Sequence, residues 1–142
     1  MACFDSFSEF SEWIDRVIQN GFPQNAKALC FNLYENDVYY SVQLVASSYY
    51  DENDSDWPCH EVFSTGEDLF QLKRTEEICD WVNGLEIAAD IVYDYLRDGT
   101  NKDKLTSFEA VAIGFVDGDL IPLYANQKIY WTAIKDYVAT LS

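Results

Sequence analysis

The chain has 142 residues, of which 25 are Asp or Glu and nine are Lys or Arg, so its formal net charge is −16. This length fits a single domain over residues 1–142, and 49% hydrophobic residues exclude disorder despite the charge. The acidic excess opposes direct nucleic-acid binding, which needs Lys and Arg. No apolar run approaches the ~18 residues of a transmembrane helix, and the first residues lack a secretory signal. We therefore expect a cytoplasmic protein that does not contact a membrane.

The first predicted element is an amphipathic helix. Ser6 and Glu9 have the spacing of a capping box, and Gly21 and Pro23 end the pattern. Apolar side chains recur between them at intervals of three and four: Phe7, Phe10, Ile14, Val17 and Ile18.

Three strands are predicted next, because the apolar period changes to two. Apolar residues alternate over residues 29–33 and again over 38–46, with a polar turn between them, which is typical of a β-hairpin. Trp57 and Pro58 mark the beginning of a short third strand over residues 60–64.

A second helix is predicted between Thr75, as its cap, and Gly99. A broad apolar stripe over residues 78–96 supports it. Gly84 inside this helix costs about 1 kcal/mol relative to Ala. We therefore expect a close approach of the helix to the sheet at Gly84.

A second hairpin is predicted around Asp117 and Gly118, because Asp-Gly between apolar runs is a strong turn signal. Pro122 indicates an edge strand, and Asn126 can cap a final helix. The element order is then α-β-β-β-α-β-β-α. It predicts an α+β fold with a mostly antiparallel sheet of about five strands and three helices.

The distribution of acidic residues gives the main functional signal. Residues 28–72 contain nine carboxylates and no Lys or Arg. This span also contains aromatic side chains, which can bury a large contact area at little cost in side-chain entropy. The carboxylates beside them can pair with Arg or Lys of a partner and steer its approach. The predicted partner-binding residues are Tyr49, Tyr50, Asp51, Glu52, Asp54, Asp56, Trp57 and Glu61. Two alternatives stay open: a merely solvated acidic loop, and a Trp57 that packs under the loop and leaves only the charges to meet a partner.

A calcium site in the same stretch is less favoured. Asp51, Asn53 and Ser55 have the spacing of an EF-hand loop, but Asp56 replaces its turn glycine and Val62 its bidentate Glu. A weak cation site remains as an alternative.

Zinc binding and catalysis also have few candidate residues. The four cysteines, at positions 3, 30, 59 and 79, form no CxxC pair and are expected to be reduced structural thiols. His60 is the only histidine, and adjacent strand residues such as Cys59 and His60 point to opposite faces. No metal, cofactor or catalytic residue is predicted.

Residues 50–63 read Tyr-Asp-Glu-Asn-Asp-Ser-Asp-Trp-Pro-Cys-His-Glu-Val-Phe. With this stretch and its short, acidic, aromatic-rich α+β layout, the chain resembles the small acidic immunity proteins encoded beside bacterial polymorphic or contact-dependent toxins. The resemblance implies a cytoplasmic, non-catalytic protein that binds one cationic toxin domain, with a nuclease as one candidate. It assigns no role to an individual residue. The alternatives are a scaffold or self-associating interaction domain and, less favoured, an enzyme centred on His60.

Overall fold

The computed structural model describes residues 4–76 and 80–141. The elements in chain order are α1 (Phe4–Gln19), β1 (Ala28–Glu35), β2 (Tyr39–Ser47), β3 (Glu61–Ser64), β4 (Phe70–Lys73), α2 (Trp81–Asp98), α3 (Lys102–Leu105), β5 (Ala110–Phe115), β6 (Ile121–Ala125), β7 (Lys128–Ile129) and α4 (Ala133–Ala139). A single 3₁₀ turn, Trp57–Cys59, precedes β3. The described residues therefore form an α+β fold, as predicted. Within them, no helix combines the length and the apolar composition that crossing a bilayer requires.

The sheet is mixed, and its strand order is β3-β2-β1-β5-β6-β7, with β4 also paired to β2. The central strands β1 and β5 run parallel, with Ala28 opposite Ala110, whereas the remaining pairs are antiparallel. The prediction of about five strands and three helices is wrong, because the described residues form seven strands and four helices. The parallel central pair was missed because it joins strands that are far apart in sequence.

The two short strands β3 and β4 lie one after the other along the same edge of β2. A turn interrupts this edge, and Gly66 in it has a φ of +61°, a conformation that glycine adopts without the steric cost of a Cβ. The third predicted strand is confirmed as β3. The sequence pattern did not reveal β4, which has four residues.

Two predicted caps of the longer helices are wrong. Helix α1 has already begun at Phe4, so Ser6 lies inside it. Helix α2 begins later than predicted, and its cap is Asp80, whose carboxylate accepts a hydrogen bond from the Asn83 backbone N–H at 2.9 Å. Thr75 is therefore not the cap.

The predicted C-terminal region is partly confirmed. The Asp-Gly hairpin is present as β5 and β6, and β7 pairs with only two residues of β6, so the stretch around Pro122 has no outer neighbour among the described strands. Asn126 and Gln127 have φ values of 54° and 64°. They form the turn between β6 and β7, so Asn126 does not cap α4, which begins at Ala133.

One face of the sheet, which we call the inner face, packs against α1 and α2 and forms the main hydrophobic core. Its largest fully buried side chains include Phe10, Phe31, Tyr40 and Tyr95. A Cβ placed on Gly84 would lie 2.7 Å from Cζ of Tyr40. This distance confirms the predicted close approach of α2 to the sheet.

Candidate protein-binding site

The opposite face of the sheet, the outer face, carries small side chains at its centre. Ala28 and Cys30 of β1 lie beside Ala110 and Ala112 of β5, and Ala125 of β6 completes the group. Strands β1 and β5 place most of their large residues on the inner face, because successive side chains alternate between faces. The outer face therefore has a shallow apolar depression.

Trp57 fills part of this depression. It is 4% exposed and packs on the small side chains of the outer face. The ring of Tyr50 meets it edge to face, with the two ring centroids 5.4 Å apart and the planes at 77°. Trp57 thus packs under the loop, which is the alternative that the sequence left open, and Tyr50 is half-buried beside it.

The segment that carries these rings, residues 48–60, is called the acidic loop below. The buried hydroxyl of Ser47 lies 2.7 Å from the carbonyl oxygens of both Tyr49 and Trp57, and it accepts a hydrogen bond from the Tyr49 N–H. The backbone N–H of Ser48 donates to the carbonyl of His60 at 2.9 Å. Both ends of the loop are therefore attached to the end of β2.

The middle of the acidic loop is ordered by its own carboxylates. One oxygen of Asp51 accepts the backbone N–H of Asn53, and one oxygen of Asp54 accepts that of Asp56, each at 2.9 Å. Such side-chain turns hold a loop without any cation.

Five carboxylates of the acidic loop and β3 form no ion pair within the described part of the chain: Asp51, Glu52, Asp54, Asp56 and Glu61. Two other acids of the same Lys- and Arg-free span do form ion pairs. Asp68 pairs with Arg16, and Glu35 lies 3.1 Å from Arg74. The negative charge of the acidic loop is therefore left available for another molecule.

Beside Trp57 the depression stays open as a cleft of about 570 Å³, which we call the outer cleft. Ala110, Ala112 and Ala125 contribute small apolar side chains to it. Its aromatic residues are Tyr50, Trp57, Tyr130 and Trp131. Its charged residues are Glu52, Asp54, Lys128 and Asp136.

Acidic groups from separate parts of the chain converge near Tyr50. Burial raises the pKa of its hydroxyl, and the nearby charges of Glu52 and Glu109 raise the pKa further. Asp136, on α4, lines the same cleft as Glu52. The sequence does not show whether carboxylates that are far apart along the chain lie close together in the fold. In the structure, three separate chain segments contribute carboxylates to this region.

The predicted binding residues divide into two groups. Four of them line the outer cleft: Tyr50, Glu52, Asp54 and Trp57. The other four lie outside the lining, on the acidic loop or on β3: Tyr49, Asp51, Asp56 and Glu61. Tyr49 is 37% exposed, and its hydroxyl donates to Asp51 at 3.3 Å.

The other wall of the outer cleft was missed by the sequence analysis. Its members follow β6: Lys128, Tyr130, Trp131 and Asp136. A signal was present in β5, where Ala110, Ala112 and Gly114 alternate with larger residues. Small side chains along one face of a central strand indicate that something bulky packs on that face.

The cysteine and histidine positions are partly as predicted. Cys30 is a buried free thiol, and burial raises its pKa to about 12. Cys59 is also a free thiol but is exposed, so it does not belong to the core. Cys3 and Cys79 lie outside the described residues. In the part of the chain that the structure describes, no three His, Cys, Asp or Glu side chains are grouped to hold a metal ion.

Comparison of the chain with protein-family models, with curated proteins and with solved structures gives no match. The site offers an ordered anionic surface and an adjoining aromatic cleft, which are features of recognition by contact. His60, the centre of the enzyme alternative, is exposed, and its ring centroid lies 4.8 Å from that of Tyr49.

Proposed function

We propose that this chain is a non-catalytic acidic protein that binds a basic protein partner through the acidic loop and the outer cleft. The observation that carries the proposal is the set of five unpaired carboxylates on the ordered acidic loop and the adjoining strand β3. Their combined field attracts a basic partner at long range. The rings beside them supply contact area at short range. Because the loop is already ordered, binding costs little of its conformational entropy.

The specific role that we propose is that of an immunity protein, which covers the active site or an exosite of a cationic toxin domain. The resemblance described above and the net charge of −16 support this role. A nuclease is a fitting class of toxin, because a surface that binds phosphates is itself basic. Such a pair would meet in the cytoplasm.

The first experiment identifies the partner. The tagged protein is purified from its own cells, and the proteins encoded by neighbouring reading frames are tested for direct binding. We expect a basic toxin domain that binds one copy of this chain and loses its activity. If no neighbouring frame encodes a toxin and no basic protein binds, the proposal fails.

The second experiment tests the surface with a charge variant that preserves the loop. Glu52→Lys and Asp56→Lys reverse two charges, whereas Asp51→Asn and Asp54→Asn remove two charges and keep the oxygens that accept backbone N–H groups. The association rate, measured by stopped-flow at low ionic strength, should fall about tenfold or more and lose most of its salt dependence.

A matched control changes the net charge equally at distant exposed positions. It combines Glu9→Lys, Glu12→Lys, Asp103→Asn and Asp117→Asn. This control should retain most of the association rate, because only its overall charge has changed. Equal slowing by both variants would show that net charge, and not the acidic loop, governs binding. A stable homodimer that buries the loop in sedimentation experiments would favour the scaffold alternative.

A further inference from the structure

The outer cleft is large enough to receive one long side chain together with the chain segment that carries it. Its volume of about 570 Å³ is within the usual range for ligand sites. The alanine side chains of β5 and β6 leave space above the sheet and offer only apolar contact. An occupant therefore needs an apolar stem to remain in contact with this part of the cleft.

The charged end of the occupant is defined by the acidic residues of the cleft. Glu52 and Asp54 line it from the acidic loop, and Asp136 lines it from α4. None of the three forms an ion pair with a basic residue of the described chain. A cation between these segments would receive acceptors from both walls.

A cation already lies over one ring of the cleft. The ammonium nitrogen of Lys128 lies 5.6 Å from the centroid of the Tyr130 ring, within the range of a cation–π contact. The aromatic wall therefore accepts a positive group in the protein itself. Lys128 also lines the cleft, so its charge opposes the entry of a second cation.

We infer that the outer cleft receives the side chain of one arginine of the partner, an inference that rests on the proposed function. Arginine has an apolar stem, stacks on aromatic rings and binds carboxylates through a planar fork of donors. Lysine shares the charge but presents it as a compact, strongly hydrated point. The arginine is assigned to the basic partner because the cleft is continuous with the proposed binding surface. Glu52 and Asp54 belong both to the cleft and to the acidic loop that contacts this partner.

The test uses a blocked peptide with one arginine between glycines, titrated into the full chain. Alanine methyl resonances in NMR spectra report on the floor through Ala110, Ala112 and Ala125, whereas Ala88 and Ala89 of α2 report on the inner core. The arginine peptide should shift the floor methyls at millimolar concentrations and leave those of α2 unchanged. A citrulline peptide, which has the same shape without the charge, should bind about tenfold more weakly.

Two substitutions with a matched control locate the binding. Trp131→Ala should weaken the arginine peptide about threefold through the loss of one aromatic face. Trp81→Ala is the control, since Trp81 is also exposed and lines a different cleft with Glu35 and Asp119. Lys128→Gln should strengthen binding, because it removes a positive charge from the cleft.

Several outcomes overturn the inference. The first is that the methyl resonances of the floor alanines do not shift when the arginine peptide is added. The second and third are that the citrulline peptide binds as tightly as the arginine peptide, or that a lysine peptide binds more tightly. The fourth is that Trp81→Ala weakens binding as much as Trp131→Ala. A failed peptide titration leaves the association rates of the loop variants with the whole partner unaffected. If no basic protein binds the chain but the arginine peptide does, the proposed function fails and the cleft retains its cation specificity.

Discussion

The two faces of the sheet are built from the same strands and differ in almost every other respect. On the inner face, Phe31, Tyr40 and other large side chains pack against two helices. On the outer face, the indole of Trp57 packs on small side chains such as Ala112. Beside this indole the outer cleft remains open. The strands therefore use one face for the core and leave part of the other face open.

The two faces of the sheet contribute differently to stability. Large apolar burial on the inner face offsets the conformational entropy of folding. The outer face contributes less apolar burial, and the acidic loop beside it holds unpaired carboxylates that repel one another. If this division is correct, perturbing the inner face should change stability, whereas perturbing the outer face should mainly change binding.

Phe10→Ala should have the largest effect on stability. Phe10 is 1% exposed, and its ring contacts four other aromatic rings: those of Trp13, Phe31, Phe70 and Tyr95. The loss of contacts and the remaining cavity should lower the free energy of unfolding by about 3–5 kcal/mol, measured by urea denaturation. Trp131→Ala is the control and should change it by about 1.5 kcal/mol or less, because Trp131 is half exposed and contacts one core ring, that of Tyr93. Equal losses would contradict the division between the faces.

Ser47→Ala should have a smaller effect, localised at the acidic loop. The buried Ser47 hydroxyl lies within hydrogen-bond distance of the Tyr49 carbonyl and accepts the Tyr49 N–H, so its removal takes this partner from both groups at a cost of about 1–3 kcal/mol. The Trp57 carbonyl, which also lies 2.7 Å from this hydroxyl, keeps the N–H of His60. Amide hydrogen exchange should accelerate over residues 48–60 and stay slow in β1. Ser48→Ala, whose hydroxyl is partly exposed, serves as the control. Acceleration of both regions together would show that loop and core open as one unit.

The smallest predicted effect concerns an ion pair at the margin of the inner face. A hydrogen bond from Arg16 lowers the pKa of Asp68 below its usual value. The folded state therefore gains stability above the usual aspartate pKa, and it loses this gain as the pH falls through the lowered pKa. Both side chains are about half exposed, so solvent screening should keep the contribution small.

Asp68→Asn tests this pair by urea denaturation over the acidic range. The variant should show a smaller loss of stability than the parent as the pH falls. Glu67→Gln removes a neighbouring exposed carboxylate that has no ion pair among the described residues, and it should keep the parental pH dependence. Identical pH profiles for all three proteins would show that the Arg16 pair contributes nothing measurable.

Local sequence patterns predicted the elements better than their arrangement. The first helix, both hairpins and the close contact at Gly84 follow from periodicity, turn residues and one costly glycine, all of which act over a few residues. The caps were harder, because Ser6 and Thr75 have suitable side chains but the helices begin at other positions. Parallel pairing of β1 with β5 has no short-range signal.

Only part of the candidate site could be predicted, because only some of its residues lie close together in the sequence. Tyr50, Glu52 and Asp54 are visible in one acidic, aromatic segment, whereas Tyr130 and Asp136 reach the cleft only through tertiary packing. The sequence shows which residues alternate along a strand. It does not show which segment, far away in the sequence, packs on the small residues of that strand.

The parallel pairing of β1 with β5 also determines when the outer cleft can exist during synthesis. Its floor requires Ala110 and Ala112, which lie opposite Ala28 and Cys30, and its second wall comes from residues beyond β6. A growing chain therefore contains the acidic loop before the residues that complete the outer cleft have been added. A basic protein that met the chain at that stage would find the carboxylates of the acidic loop but not the second wall of the cleft.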